Sequence, residues 1–289
     1  MFYYLLLLAM PVISCGQYAA QKQYNLKVQT PNAILFSAIT AFMALLFFVF
    51  TSGFNLDFRL KLIPYSLAYA IGYSSAYIAT VLAVRYGSMA IASLILSFTL
   101  IFPLIYGVVV RGDEIGVIQI IGLIFLFSAM FLSKSHSTAD GNKVSSKWVI
   151  CVIVAFAGNG LCSIASNMQV DFAALPDKMD YKHEFMIIAL GVSSLILFIC
   201  GLISSKNVRR DLSDCTKYSS VNGLCNALVN LISLTLIGKI PNSVLYPTSS
   251  GLGMIVTFIL CLAVYKERFR KSQYLGYGFG VISIILLNL

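Results

Sequence analysis

Charge is what this sequence has least of. Of 289 residues only 11% are Asp, Glu, Lys or Arg, against 59% hydrophobic, and the mean hydropathy is +0.87. A soluble domain carries about a quarter charged residues, so a water-soluble globule is excluded. The 20 basic and 11 acidic residues lie in, or at the edges of, short polar stretches between apolar runs. The net charge of +9 is therefore scattered along connections. A nucleic-acid surface would gather it on one face; no nucleic-acid partner is expected, and the lipid bilayer is the partner implied. Seven cysteines, Cys15, Cys151, Cys162, Cys200, Cys215, Cys225 and Cys261, form no CxxC pair and are odd in number, which argues against a disulfide framework or a zinc site. In apolar runs they act as small hydrophobes. The two histidines, His136 and His183, fall in polar connections with no nucleophile in motif, and no phosphate-cradling GxxxxGK[ST] loop occurs. No catalytic activity, cofactor or metal is expected. The opening MFYYLLLLAMPVISC lacks the basic start of a secretory leader, so it reads as a first helix.

What remains is a succession of apolar runs. Crossing a hydrocarbon core takes about 20 helical residues. Ten runs fit: 2–21, 33–53, 62–84, 88–110, 115–133, 148–170, 184–204, 216–238, 242–264 and 272–288. They do not alternate in polarity as barrel strands do, and a helix satisfies its own backbone in lipid. The connection SKSHSTADGNKVSSK, residues 133–147, is serine-rich and aperiodic, which marks a polar linker. It falls at the midpoint of the ten runs. Adding 154 to positions in the first half carries Arg85 onto Lys239, Asp113 onto Glu267, Gln119 onto Gln273 and Gly122 onto Gly276. A shift of 146 lays GQYAAQKQ (16–23) over CSIASNMQ (162–169). Two halves of five spans each enter the membrane from opposite sides. The expected fold is an all-α integral membrane protein of ten transmembrane helices, built as two inverted five-helix repeats, 1–133 and 148–289, joined by a linker at 134–147.

The segment SMAIASLILSFTLIFPLIYGVVVRGDEIGVIQIIGLIFLFSAMFL (88–132), and again NSVLYPTSSGLGMIVTFILCLAVYKERFRKSQYLGYGFGVISIILLN (242–288), resembles the EamA-type transporters of the drug/metabolite transporter superfamily. The shared features are small and hydroxyl residues in the fourth span, a Gly-acid turn and a Gln…Gly start to the fifth. The resemblance implies a ten-helix carrier for small metabolites or drugs. It further implies that spans one to four and six to nine surround a central cavity while five and ten buttress it. The chain departs from the pattern at Asp113, where Glu is usual, and at Lys266, where Gly is usual before Glu267.

Polar residues along the spans give the candidate site. Tyr65, Tyr69, Tyr73 and Tyr77 recur every four residues, so they drift only about 40° per step around a helix. A buried phenol seeks a hydrogen-bond partner, and lipid tails have none. Tyr69 and Tyr73, nearest the middle, are expected on a cavity wall; Tyr65 and Tyr77 fit an interfacial belt. Asn222, Asn226 and Asn230 form a matching amide row in span eight, and Asn159, Ser163 and Asn167 another in span six. Gln17 and Gln21 overlie Ser163 and Asn167 in the repeat frame, and spans four and nine add Ser97 and Tyr246. Hydrogen bonding between helices is the competing reading for all of these. No Asp, Glu, Lys or His sits in the middle of a span, which disfavours a central proton-relaying acid and points to a neutral or zwitterionic solute. Connections after odd spans hold 14 Lys and Arg, those after even spans 6, so the positive-inside rule puts the former in the cytoplasm. The expected function is secondary transport of a small polar or zwitterionic metabolite, amino acids among the candidates, across the cell membrane by alternating access. A multidrug exporter of the same fold, and a non-transporting scramblase or scaffold, are the rivals.

Overall fold

A computed structural model describes residues 2–28, 32–54, 56–86, 98–134, 146–172, 181–205, 207–263 and 271–287. Every regular element among them is helical. The helices are α1 (Phe2–Lys27), α2 (Ala33–Thr51), α3 (Ile63–Tyr86), α4 (Ile101–Tyr106), α5 (Val117–Lys134), α6 (Ser146–Phe172), α7 (Lys182–Ser204), α8 (Val208–Leu236), α9 (Asn242–Ala263) and α10 (Lys271–Leu287). Five stretches within them are long and apolar enough to cross a membrane: Tyr3–Gln21, Ala33–Thr51, Ser146–Phe172, Lys182–Ser204 and Val208–Leu236.

Each apolar run carries a helix, with instructive differences at the ends. α8 starts eight residues before its apolar run, because Asn207 caps it by accepting a hydrogen bond from the Arg210 amide at 3.3 Å. α4 is not the plain helix expected over 88–110. A 3₁₀ turn (Phe98–Leu100) leads into it and a π turn (Gly107–Arg111) follows it; residues 88–97 lie outside the described ones. Gly112 then turns left-handed at φ 70°, a conformation that glycine adopts without penalty, and the Asp113 amide bonds back to the Gly107 carbonyl at 3.0 Å. The chain therefore folds inward after α4, carrying Arg111 and Asp113 with it.

Long pairings organise the bundle: α3 along α6, α1 along α8, α2 along α7, and α5 along α10. α2 also packs on α8, and α3 on α7. The α3–α6 contact is backbone to backbone. A methyl group on Gly72 would sit 2.6 Å from the Gly158 carbonyl oxygen, and one on Gly158 would sit 2.7 Å from that of Gly72. A main apolar core, including Phe48, Phe185, Leu190 and Leu236, fills the space among α2, α3, α7 and α8. Exposed Val117, Ile121 and Ile124 on α5 and Leu275, Ile282 and Ile285 on α10 turn outward, as lipid contact requires.

Candidate functional site

Close approach of α3 and α6 leaves room on their flanks, and a cavity of about 310 Å³ opens there against α1, α2 and α8. Along α3 it is lined by Tyr69, Tyr73, Ala76, Tyr77 and Thr80; α6 contributes Asn159 and Cys162, and α8 contributes Asn226. Gln21 and Tyr24 at the end of α1, and Ala33, Phe36 and Ser37 at the start of α2, complete it. Among the described residues no charged side chain lines the cavity.

The tyrosine row forms a stair. The rings of Tyr69 and Tyr73 stack at 6.0 Å and 18°, and those of Tyr73 and Tyr77 meet at 4.5 Å. Tyr69 is pinned further by an edge contact to Phe185 at 5.5 Å, and its hydroxyl donates to Asn230 Oδ1 at 3.4 Å. Asn230 Nδ2 in turn donates to Asn226 Oδ1 at 2.9 Å. Phenol and amide rows from α3 and α8 thus join in one network. Asn159 Nδ2 donates to the Ala155 carbonyl at 3.0 Å, one turn back in its own helix. Each of these side chains is held by its neighbours, which is the condition for a preorganised polar wall.

Of the residues singled out in the sequence, Tyr69, Tyr73, Asn159 and Asn226 meet in the cavity, and so do Gln21 and Tyr77, the latter expected in an interfacial belt. Gln17 and Asn222 meet outside it, where Asn222 Nδ2 donates to the Gln17 carbonyl at 3.2 Å and ties α8 to α1. Ser163 donates to the Asn159 carbonyl at 3.2 Å within its own helix. Asn167 and Tyr246 lie further along, joined to each other at 2.9 Å. Ser97 lies outside the described residues.

The residue that sequence reasoning missed is Tyr24. It sits just past the first apolar run, in a stretch read as a connection, yet it is 2% exposed. Its ring stacks on Phe36 at 4.8 Å, its hydroxyl accepts from the Asn32 amide at 2.9 Å and contacts Cys215 Sγ at 3.1 Å. It therefore fastens the ends of α1, α2 and α8 beside the cavity. Tyr24→Phe keeps the ring but strands the Asn32 amide. An unpaired buried donor costs about 1–3 kcal/mol, and the expected result is a measurable fall in the thermal midpoint of the purified protein, with Tyr4→Phe, at an exposed ring, as the comparison.

A second polar cluster forms where α4, α6 and α9 meet. Arg111 Nε lies 2.9 Å from Asp171 Oδ2, and the two side chains are 13% and 22% exposed. Tyr106 donates its hydroxyl to Asp171 at 2.8 Å. Asn242, wholly buried, stands at the centre. Its amide donates to Asp113 Oδ2 at 2.7 Å, its Nδ2 to the Pro103 carbonyl at 2.8 Å and to Asn167 Oδ1 at 2.9 Å, and its Oδ1 accepts from Arg111 Nη1 at 3.2 Å. Glu184, at the start of α7, is also buried at 2% and accepts the Asp57 amide at 3.1 Å. Charges that composition assigned to the span edges are thus folded into the protein rather than left in water.

Comparison with known proteins supplies a family. One solved structure, described only as "Crystal structure of protein", matches over 100% of this chain and 99% of its own, with a TM-score of 0.75 at 12% identity; at that identity the likeness concerns the fold alone. It is among 28 solved chains that match. No curated protein matches the sequence. The profile of the EamA-like transporter family matches residues 1–134, the stretch that includes the first of the two segments compared above. That match extends over just under half of the chain, and together with the apolar helices it marks the chain as a membrane protein similar over residues 1–134 to the EamA-like transporters.

Proposed function

We propose that the protein is a ten-helix secondary carrier in the cell membrane for a small uncharged or zwitterionic polar metabolite, amino acids included, working by alternating access. Its two repeats would be residues 1–133 and 148–289, with 134–147 as the link. The pairing of helices supports the repeat. Exchanging the halves, α1 for α6, α2 for α7 and so on, turns the α1–α8 contact into the α6–α3 contact, and maps α2–α7 and α5–α10 onto themselves. That is the pattern of a two-fold axis between inverted halves. The observation that carries the substrate reading is the cavity lining: phenols, amides, two hydroxyls and a thiol, with no charge among the described residues. A net-charged solute would be left without a counter-charge inside low-dielectric walls, whereas a neutral or zwitterionic one meets donors and acceptors. The missing acid also disfavours cationic drugs. The 14-to-6 bias of basic residues puts the connections after odd helices in the cytoplasm, and the cavity is lined near that face.

The test begins with purified protein and a library of neutral and zwitterionic metabolites, scored by thermal shift. The hits are then followed as radiolabelled solutes in proteoliposomes without ATP. The expected result is saturable uptake with exchange from the opposite side. Binding and flux confined to organic cations would favour the drug-exporter reading. Phospholipid flipping with no solute flux would favour the scramblase reading.

A further inference from the structure

We infer that the cluster of Arg111, Asp171, Asn242 and their partners is a closed gate, and that this structure is the state sealed at one face and entered from the other. The inference rests on the carrier reading above. It starts from where the cavity ends. Its rim residues are Tyr24, Ala33 and Thr80, at the end of α1, the start of α2 and the last third of α3, all on the face of the basic connections. Its deepest residues on α3, α6 and α8 are Tyr69, Cys162 and Asn226. From Cys162 to Asp171 α6 runs nine residues onward, about 14 Å, to the face where α4 and α6 end and α9 begins. What fills that distance is Asn167 and Tyr246, then the cluster.

The cluster is built as a closure across the two halves. Arg111 and Asp113 follow α4 in the first half; Asp171 ends α6 and Asn242 starts α9 in the second. The Arg111–Asp171 pair, and the bonds from Asn242 to Arg111, Asp113 and the Pro103 carbonyl, all cross between halves. Space is exhausted there as well. A methyl group on Gly107 would overlap the Asp113 carboxylate and lie 2.7 Å from Asn242 Cβ. Nothing but glycine allows the halves to meet this closely.

Its chemistry suits a seal that must also open. A part-buried ion pair is a poor way to gain stability, since desolvation offsets the attraction. Near a membrane face, however, each half of the pair regains water when the halves part. The open and shut states then differ by little, and a ligand's differential affinity can move the balance. Apolar contacts would hold the same ends together without that compensation. The π turn over Gly107–Arg111 adds a segment with weaker internal geometry at the moving end.

The test uses Cys162, which lines the cavity, as the sole thiol, with the other six cysteines changed to alanine. Sealed vesicles of both orientations receive a membrane-impermeant maleimide. The expected result is labelling of Cys162 from the basic-connection face alone, and labelling at least ten-fold faster from the opposite face in Asp171→Asn and in Asn242→Ala. The exchange Arg111→Asp with Asp171→Arg should restore the parent pattern. Equal labelling of the parent from both faces, or folded Asp171→Asn and Asn242→Ala variants that label as the parent does, would overturn the gate. Should those variants not fold, Arg111→Cys with Asp171→Cys in a chain whose seven native cysteines, Cys162 included, are alanine, joined by a short bis-maleimide, decides the matter: loss of flux relative to the uncrosslinked pair supports the gate, and unchanged flux overturns it. Labelling needs no substrate, so a gate that responds as expected in a protein that moves no solute would sink the carrier reading alone.

Discussion

Replacing Gly158 by leucine is expected to abolish the folded protein. Gly158 faces Gly72 where α3 and α6 touch through their backbones. Even a methyl group there would sit 2.7 Å from the Gly72 carbonyl oxygen, 2.8 Å from Ser75 Oγ and 3.0 Å from the Ala76 amide nitrogen. Two of these three are backbone atoms of a helix, which cannot rotate away as a side chain can. The helices would have to separate, and with them the walls of the cavity, since Tyr69, Tyr73, Asn159 and Cys162 flank this contact. Membrane helices associate largely through close packing of small residues and have little hydrophobic drive to compensate. Overpacking costs about 1–3 kcal/mol where side chains can adjust, and more here because backbone opposes backbone. Gly158→Ala should lower the thermal midpoint measured by size exclusion after heating in detergent, and Gly158→Leu should leave no monodisperse peak. Gly191→Ala, where the added methyl group meets nothing within 4 Å, should behave as the parent. A Gly158→Leu protein with parent stability would show that α3 and α6 do not pack this way.

Periodicity made the helices legible because lipid removes the alternatives: a segment of about 20 apolar residues has to satisfy its backbone within itself. The proposed repeat rests on punctuation such as Arg85/Lys239 and Gly122/Gly276 that recurs at a fixed offset. Four-residue spacing placed Tyr69 and Tyr73 on one helix face, and the structure puts both in the cavity. It could not say how far the helix was rotated or what stood opposite. Asn222 and Asn226 carry the same signal one turn apart, yet Asn222 ties α8 to Gln17 on α1 while Asn226 lines the cavity. Spacing reports a stripe about 100° wide, and two neighbouring helices can share it. Tyr24 and the pair Arg111–Asp171 were illegible for another reason. Each lies where hydropathy falls, and a falling profile looks alike for a residue in water and for one folded back under its own helix ends. The π turn and the left-handed Gly112 that swing Arg111 inward leave no periodic trace.

Asn226→Leu and Tyr73→Ala should each remove most of the solute flux while leaving a folded protein. Asn226 lines the cavity and accepts from Asn230 Nδ2 at 2.9 Å, and Asn230 Oδ1 in turn accepts from the Tyr69 hydroxyl. Leucine keeps the volume and helix propensity but withdraws an amide from the wall and leaves the Asn230 donor without that acceptor. A polar contact to a bound solute that is lost while its partner stays buried costs about 1–3 kcal/mol, or roughly 5- to 150-fold in affinity. Tyr73→Ala removes the middle step of the stair, so Tyr69 and Tyr77 lose the ring that stands between them. The ring is 6% exposed, and its loss widens the cavity, so flux at saturating solute should fall as well as affinity. Asn222→Leu separates the site from the scaffold. Its amide is 6% exposed and bonds the Gln17 carbonyl; it should lower the thermal midpoint yet leave the apparent affinity for the solute unchanged. Flux and thermal shift measured on all three variants with one established solute decide between wall and scaffold. If Asn226→Leu and Tyr73→Ala both transport at the parent rate, the solute binds elsewhere, and the phenol and amide rows are interhelical packing after all.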